Sequence, residues 1–159
     1  MNLSVGGVLA FIAVGIAVGF PGIGSAIGVG LVGKAGSGVI TEDPDKFGQI
    51  LLLQAIPGTQ GIYGLLTGLM IMMRVGVLGG TIPSIPALTG VMLIGSAIPI
   101  GLVGWLSAIS QGKVAAAGVS IVAKRPEEMG KAVIFAAMVE TYAVLALLAS
   151  LLLLFSIQI

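Results

Sequence analysis

The chain has 159 residues, of which 57% are hydrophobic and only 8% charged, and its net charge is +1. A soluble domain carries about a quarter charged residues; this chain has too few to cover a water-facing surface, and its mean hydropathy of +1.20 makes lipid the expected solvent around most of it. The absence of cysteine excludes disulfides, thiol catalysis and cysteine-bound metals. The absence of histidine removes the commonest acid–base group near neutral pH, and the small net charge gives no sign of nucleic-acid binding.

Crossing a bilayer core of about 30 Å takes about 20 apolar residues. Four runs suffice: about 5–40, 47–77, 87–123 and 129–157. The first starts without the lysine or arginine that a signal peptide requires, so it is expected to remain as a spanning helix. Each run exceeds the minimum length, which predicts tilt or projection beyond the bilayer. Proline and glycine punctuate the breaks, Thr41-Glu42-Asp43-Pro44-Asp45-Lys46, Gly79-Gly80-Thr81-Ile82-Pro83-Ser84-Ile85-Pro86 and Lys124-Arg125-Pro126-Glu127-Glu128, as turn chemistry demands. The expected fold is an all-α membrane protein of four transmembrane helices.

Charge sets the expected orientation. Lys34, Lys46, Lys113, Lys124, Arg125 and Lys131 lie in or near the first and third breaks, and only Arg74 lies toward the middle one. The positive-inside rule then predicts that loops 41–46 and 124–128 are cytoplasmic and both termini outside. Glu42, Asp43, Asp45, Glu127 and Glu128 share those loops, as solvated charges or as docking points for a cytoplasmic partner.

The chain also repeats itself. At an offset of 82 residues, Ser107-Ala108-Ile109 falls on Ser25-Ala26-Ile27, Pro126 on Pro44, Gly130 on Gly48, Thr141 on Thr59 and Leu147-Leu148 on Leu65-Leu66, without a gap. This predicts two tandem hairpins, 1–82 and 83–159, in the same orientation, a parallel repeat about an axis along the membrane normal. The first helix is rich in glycine, including the pairs Gly15/Gly19 and Gly24/Gly28, and the third repeats the tendency. Such helices can crowd closely, either within one four-helix bundle or as a narrow inner circle built from many copies.

Among the charged residues, Glu140 is the one that cannot be placed near an interface. It stands about twelve residues, or roughly 18 Å, into the fourth helix. An ionised acid at that depth costs at least a few kcal/mol, so it must be protonated, paired or bound to a cation. The matching position of the first repeat is Gly58, so the first hairpin lacks its own carboxylate. It does offer Pro57, which frees a carbonyl by removing an intrahelical hydrogen bond, first of all that of Leu53. Thr59, Gln60 and Tyr63 follow, and the third helix supplies Gln111. Several neutral oxygens around one negative charge suit a hard monovalent cation, Na⁺, better than a proton, which needs one acceptor, or a divalent ion, which leaves excess charge in lipid. The glutamines and the acid could instead cement helices by hydrogen bonding.

Two fused hairpins, Pro57-Gly58-Thr59-Gln60-Gly61, Gln111-Gly112-Lys113 and Glu140-Thr141-Tyr142 together resemble the proteolipid (K or c) subunit of V-type ATPases, in particular of the bacterial sodium-pumping enzymes, over essentially the whole chain. The resemblance implies a homo-oligomeric ring in the cell membrane, turning against a stator membrane subunit that presents an arginine at a half-channel, with central-stalk subunits at the cytoplasmic loops. It implies a Na⁺ site made by the Ile56 backbone carbonyl, Thr59, Gln60, Gln111 and Glu140, with Tyr63 hydrogen-bonded to the carboxylate; on the carbonyl it differs from the residue-level reading, which points to Leu53. Gly58 departs from single-hairpin F-type rotor subunits and halves the carboxylates per helix pair. ATP hydrolysis belongs to partner subunits on this reading, and the chain has no GxxxxGK[ST] phosphate loop. The rivals are the same ring carrying protons and a passive oligomeric pore or structural membrane module. A pore calls for a polar stripe along one helix face, and these glycine-rich helices are mostly apolar.

Overall fold

Each long apolar run forms a helix in the computed structural model, which describes residues 4–80 and 84–159; the expected boundary between 82 and 83 lies outside the described residues. Helix α1 spans Val5–Glu42. Ser4 caps it, accepting from the Gly7 N–H at 3.2 Å, and the same hydroxyl accepts from the Ile85 N–H at 3.0 Å, tying the start of the first helix to the approach to the third. Asp43 ends α1, and its carboxylate accepts from the Asp45 N–H in the 3₁₀ turn Pro44–Lys46. Helices α4 (Ala87–Lys124) and α5 (Met129–Ser156) flank the matching turn Pro126–Glu128.

The second run is one span but not one α-helix. It divides into α2 (Phe47–Ala55), a 3₁₀ turn (Ile56–Gly58) and α3 (Thr59–Val75). The cause is Pro57, which has no N–H to give the preceding turn and forces the backbone to tighten. The span stops at Val75 rather than 77 because Gly76, at φ 82°, takes the left-handed turn that ends α3. Pro21 and Pro99 sit inside α1 and α4, which continue through them. Lys34 and Lys113, expected in or near the breaks, are exposed residues of α1 and α4, roughly two and three turns before the helix ends.

The two hairpins lie side by side and run the same way. Gly24 packs on Trp105, Gly28 on Ala108 and Gly104 on Pro21, so α1 and α4 are parallel. Lys46 donates to the Ala123 carbonyl, Gln49 to that of Pro126 and Arg74 to that of Ile157, so the second spans of the two hairpins keep step as well. Among the described residues four helical spans are long and apolar enough to cross a membrane, including Val5–Glu42 and Ala87–Lys124. Large side chains such as Leu145, Leu148 and Leu152 project outward from α5, as a lipid-facing helix requires.

Glycine permits the closest approach. A Cβ on Gly112 would overlap the Gly28 backbone, and one on Gly24 would overlap Trp105. A Cβ on Gly48 would meet nothing within 4 Å. Gly112→Ala should therefore destabilise the protein by about 1–3 kcal/mol, since backbone cannot yield as a side chain can. Gly48→Ala should be neutral or stabilising by up to about 1 kcal/mol. Thermal unfolding of the purified variants in detergent checks the order, and equal midpoints would contradict it.

Candidate functional site

The 3₁₀ turn at Ile56–Gly58 turns the start of α3 toward α4 and α5. Within it, the Thr59 hydroxyl donates to the Ile56 carbonyl at 3.0 Å and lies 3.4 Å from Gln60 Oε1. The carbonyl at this hydroxyl is thus that of Ile56, the one the family resemblance indicated, and not that of Leu53, whose side chain is buried in a neighbouring apolar cluster.

Gln60 and Gln111 are fully buried, and one backbone atom orients both. Gln111 Nε2 donates to the Ala136 carbonyl of α5 at 2.9 Å. A carbonyl can only accept, so the Gln111 amide must turn its oxygen the other way. That oxygen accepts from Gln60 Nε2 at 2.6 Å, which in turn directs Gln60 Oε1 toward Thr59. The result is a file of oxygens with fixed directions, Gln111 Oε1, Gln60 Oε1, Thr59 Oγ1 and Ile56 O. Both amide oxygens keep a free lone pair.

Glu140 stands beside this file on α5, half-buried, and accepts from the Tyr63 hydroxyl at 2.5 Å. The other five acids, Glu42, Asp43, Asp45, Glu127 and Glu128, stand at the turns between spans, which leaves Glu140 as the one carboxylate at this depth. All six residues singled out in the sequence therefore fall in one region, drawn from the second, third and fourth spans of a single chain.

Two residues were missed. Ser107 Oγ lies 3.5 Å from Gln60 Nε2 and donates to the Val139 carbonyl at 3.1 Å, beside Glu140. Ser25 Oγ accepts from the Gly61 N–H at 2.9 Å, an amide just past the proline-induced turn. Their signal was present, because Ser25 and Ser107 coincide under the 82-residue offset, but a serine among glycines and alanines does not distinguish a polar support from a packing residue.

Known proteins match this chain along most of its length. The family of ATP synthase C subunits matches it twice, over residues 12–71 and 94–153; both limits differ by 82, the offset of the internal repeat. The K subunit of a V-type sodium ATPase of Enterococcus hirae is 47% identical over 148 residues, covering 93% of this chain and 91% of that protein. The K subunit of an A-type ATP synthase of Methanocaldococcus jannaschii is 39% identical over 147 residues, covering 92% of this chain and 62% of that protein.

The Tyr63–Glu140 contact makes a prediction of its own. The Tyr63 hydroxyl fixes the position of the carboxylate, and losing a hydrogen bond to a charged group costs about 1.5–3 kcal/mol. Tyr63→Phe should therefore change the rate at which a hydrophobic carbodiimide modifies Glu140 by about tenfold or more. An unchanged rate, with helix content preserved by circular dichroism, would show that the hydroxyl does not govern the acid.

Proposed function

The chain belongs to the family of ATP synthase C subunits, and on that premise we propose that it is a rotor-ring subunit of a rotary V-type ATPase that carries Na⁺ across the cell membrane on Glu140. The observation that carries this reading is one deep carboxylate beside a file of neutral oxygens whose directions are fixed by the Ala136 carbonyl. Ile56 O, Thr59, Gln60, Gln111 and Glu140 would supply the ligands, and Tyr63 would hold the carboxylate in place. One carboxylate balances one monovalent cation, so the occupied site is neutral and can pass lipid; a divalent ion would leave net charge there. A proton would use a single acceptor and leave the oriented amides without purpose. The sodium in the name of the Enterococcus relative supports the same cargo.

The cycle follows from electrostatics. Loaded Glu140 turns through the lipid-facing part of the ring. At the stator subunit an arginine stabilises the bare carboxylate, so the ion leaves through one aqueous half-channel and another enters from the opposite side. This chain performs no covalent chemistry; ATP hydrolysis takes place in partner subunits and reaches the ring through a central stalk at loops 41–46 and 124–128. Those loops face the cytoplasm, both termini face outward, and the two hairpins divide at 82/83.

Labelling tests the assignment. A hydrophobic carbodiimide should modify Glu140 alone among the six acids, and Na⁺ should protect it. Thr59→Ala should raise the Na⁺ concentration needed for half-protection by about tenfold, the effect of losing one neutral ligand. Protection by low proton concentration only, with no effect of Na⁺, would make the cargo a proton; modification of Glu127 in place of Glu140 would sink the transport role.

Orientation has a separate test. Glu127→Cys and Ile159→Cys should react with an impermeant maleimide from opposite sides of sealed vesicles. Reaction from the same side would overturn the arrangement of loops and termini.

A further inference from the structure

Helix α3 begins at the depth of the ion site without a cap of its own. Gly58 holds its N-cap position with no side chain to offer, and the Thr59 hydroxyl is turned back to the Ile56 carbonyl. An N-cap residue ordinarily reaches the second or third amide of its helix from an extended backbone. Gly58 instead keeps a helical backbone, at φ −79° and ψ −20°. An extended residue there would swing the span off its axis. A cap for α3 must therefore come from another element, because an amide left bare inside a membrane is costly.

Ser25 of α1 supplies it. Its Oγ accepts from the Gly61 N–H at 2.9 Å, and Gly61 is the third residue of α3, the amide that an N-cap side chain reaches. Ser25 is only 7% exposed. The approach depends on small residues: a Cβ on Gly61 would stand 3.2 Å from Ser25 Oγ, and one on Gly28, a turn further along α1, would overlap both the Pro57 ring and the Ala108 carbonyl. Helix α1 is thus seated on the break and on α4 together, which fixes the height of Ser25. The second repeat gives the contrast. Ser107 stands at the matching position, but Val139 replaces Pro57 and α5 runs through unbroken. No amide is freed there, and the Ser107 hydroxyl donates to the Val139 carbonyl at 3.1 Å. The same serine accepts where a proline breaks the facing helix and donates where none does.

We propose that Ser25 is a positioning residue of the ion site: capping α3 from outside the span, it holds the Pro57 break in the form that presents the Ile56 carbonyl and the Thr59 hydroxyl. The inference rests on the sodium reading above. Thr59 and Gln60 are the two residues before Gly61, so an anchor on that amide fixes the turn on which both stand. The Ser25 bond goes to backbone and not to a ligand side chain, whereas Glu140 is held separately, by Tyr63. Sodium binding, which needs the whole set of neutral oxygens, should therefore depend on Ser25. Proton uptake at Glu140, which needs the carboxylate alone, should not.

The test uses the full-length protein purified in detergent. Ser25→Ala should raise the Na⁺ concentration that half-protects Glu140 from a hydrophobic carbodiimide by about fivefold, the equivalent of the roughly 1 kcal/mol that an N-cap contributes. The pH of half-maximal labelling in sodium-free buffer should stay that of wild type, and amide hydrogen exchange at Gly61 should quicken. Ser25→Thr keeps the accepting oxygen and should restore both protection and slow exchange. An unchanged response to Na⁺ would overturn the proposal. So would a pH response that moves together with the Na⁺ response, the mark of general loosening, or a threonine variant as weak as alanine. If Ser25→Ala does not assemble, Ser25→Cys decides: close in size but a weak acceptor, it should show the same split between Na⁺ and proton, and wild-type behaviour would sink the cap. If Na⁺ fails to protect Glu140 even in the wild type, the sodium reading falls, and exchange at Gly61 alone then decides whether Ser25 holds the turn.

Discussion

A carboxylate halfway through a hydrocarbon layer cannot persist as a lone charge, and the rest of this structure can be traced to that constraint. Glu140 accepts from Tyr63, one turn of α3 beyond Gln60, whose amide is bonded to that of Gln111. The amides are directed by a single acceptor, the Ala136 carbonyl, which lies one helical turn before Glu140 on the same helix. Acid and amide orientation are therefore set by one rigid element, and only the second span has to be brought to it. Pro57 does this: the tightened turn it forces puts the Ile56 carbonyl and the Thr59 hydroxyl 3.0 Å apart at the edge of the site. A backbone fault that would weaken a helix elsewhere here exposes oxygen inside a membrane, where irregular backbone persists only if it is buried or lines a site.

Duplication followed by divergence explains the asymmetry of the two hairpins. Thr141 repeats the local hydrogen bond of Thr59, donating to the Met138 carbonyl three residues back, but the turn itself does not recur: Pro57 corresponds to Val139, and α5 runs through this depth unbroken. The candidate ligands do not recur: Gln60 corresponds to Tyr142, Tyr63 to Leu145 and Glu140 to Gly58. On the reading proposed above, each chain keeps one candidate site, drawn from both of its hairpins.

Much of this was legible in the sequence, for physical reasons. The four spans came from the length of the apolar runs, which lipid makes nearly unambiguous, and the observed ends of α4 and α5 fall within one residue of the expected 123 and 157. The lone deep acid was visible because charge is so rare in this chain. What could not be read was short-range backbone geometry. Pro57 signalled a break, but whether the exposed carbonyl was that of Leu53 or Ile56 depends on how the helix tightens around it. Lys34 and Lys113 were assigned near the loops on charge alone, whereas the helices extend well past them; a long lysine stem lets the amine reach polar surroundings from inside a span. Ser25 and Ser107 were legible only as matching positions of the repeat, because nothing local reveals which buried amide a serine will serve.

The central claim is that each chain holds one sodium ion, at Glu140. Equilibrium binding of radioactive Na⁺ to the purified, detergent-solubilised ring tests it most directly. The account predicts one saturable site per chain and none in Glu140→Gln, which keeps the shape of the side chain but not the charge that balances the ion. Saturable binding that survives Glu140→Gln, or a stoichiometry of two per chain, would contradict it.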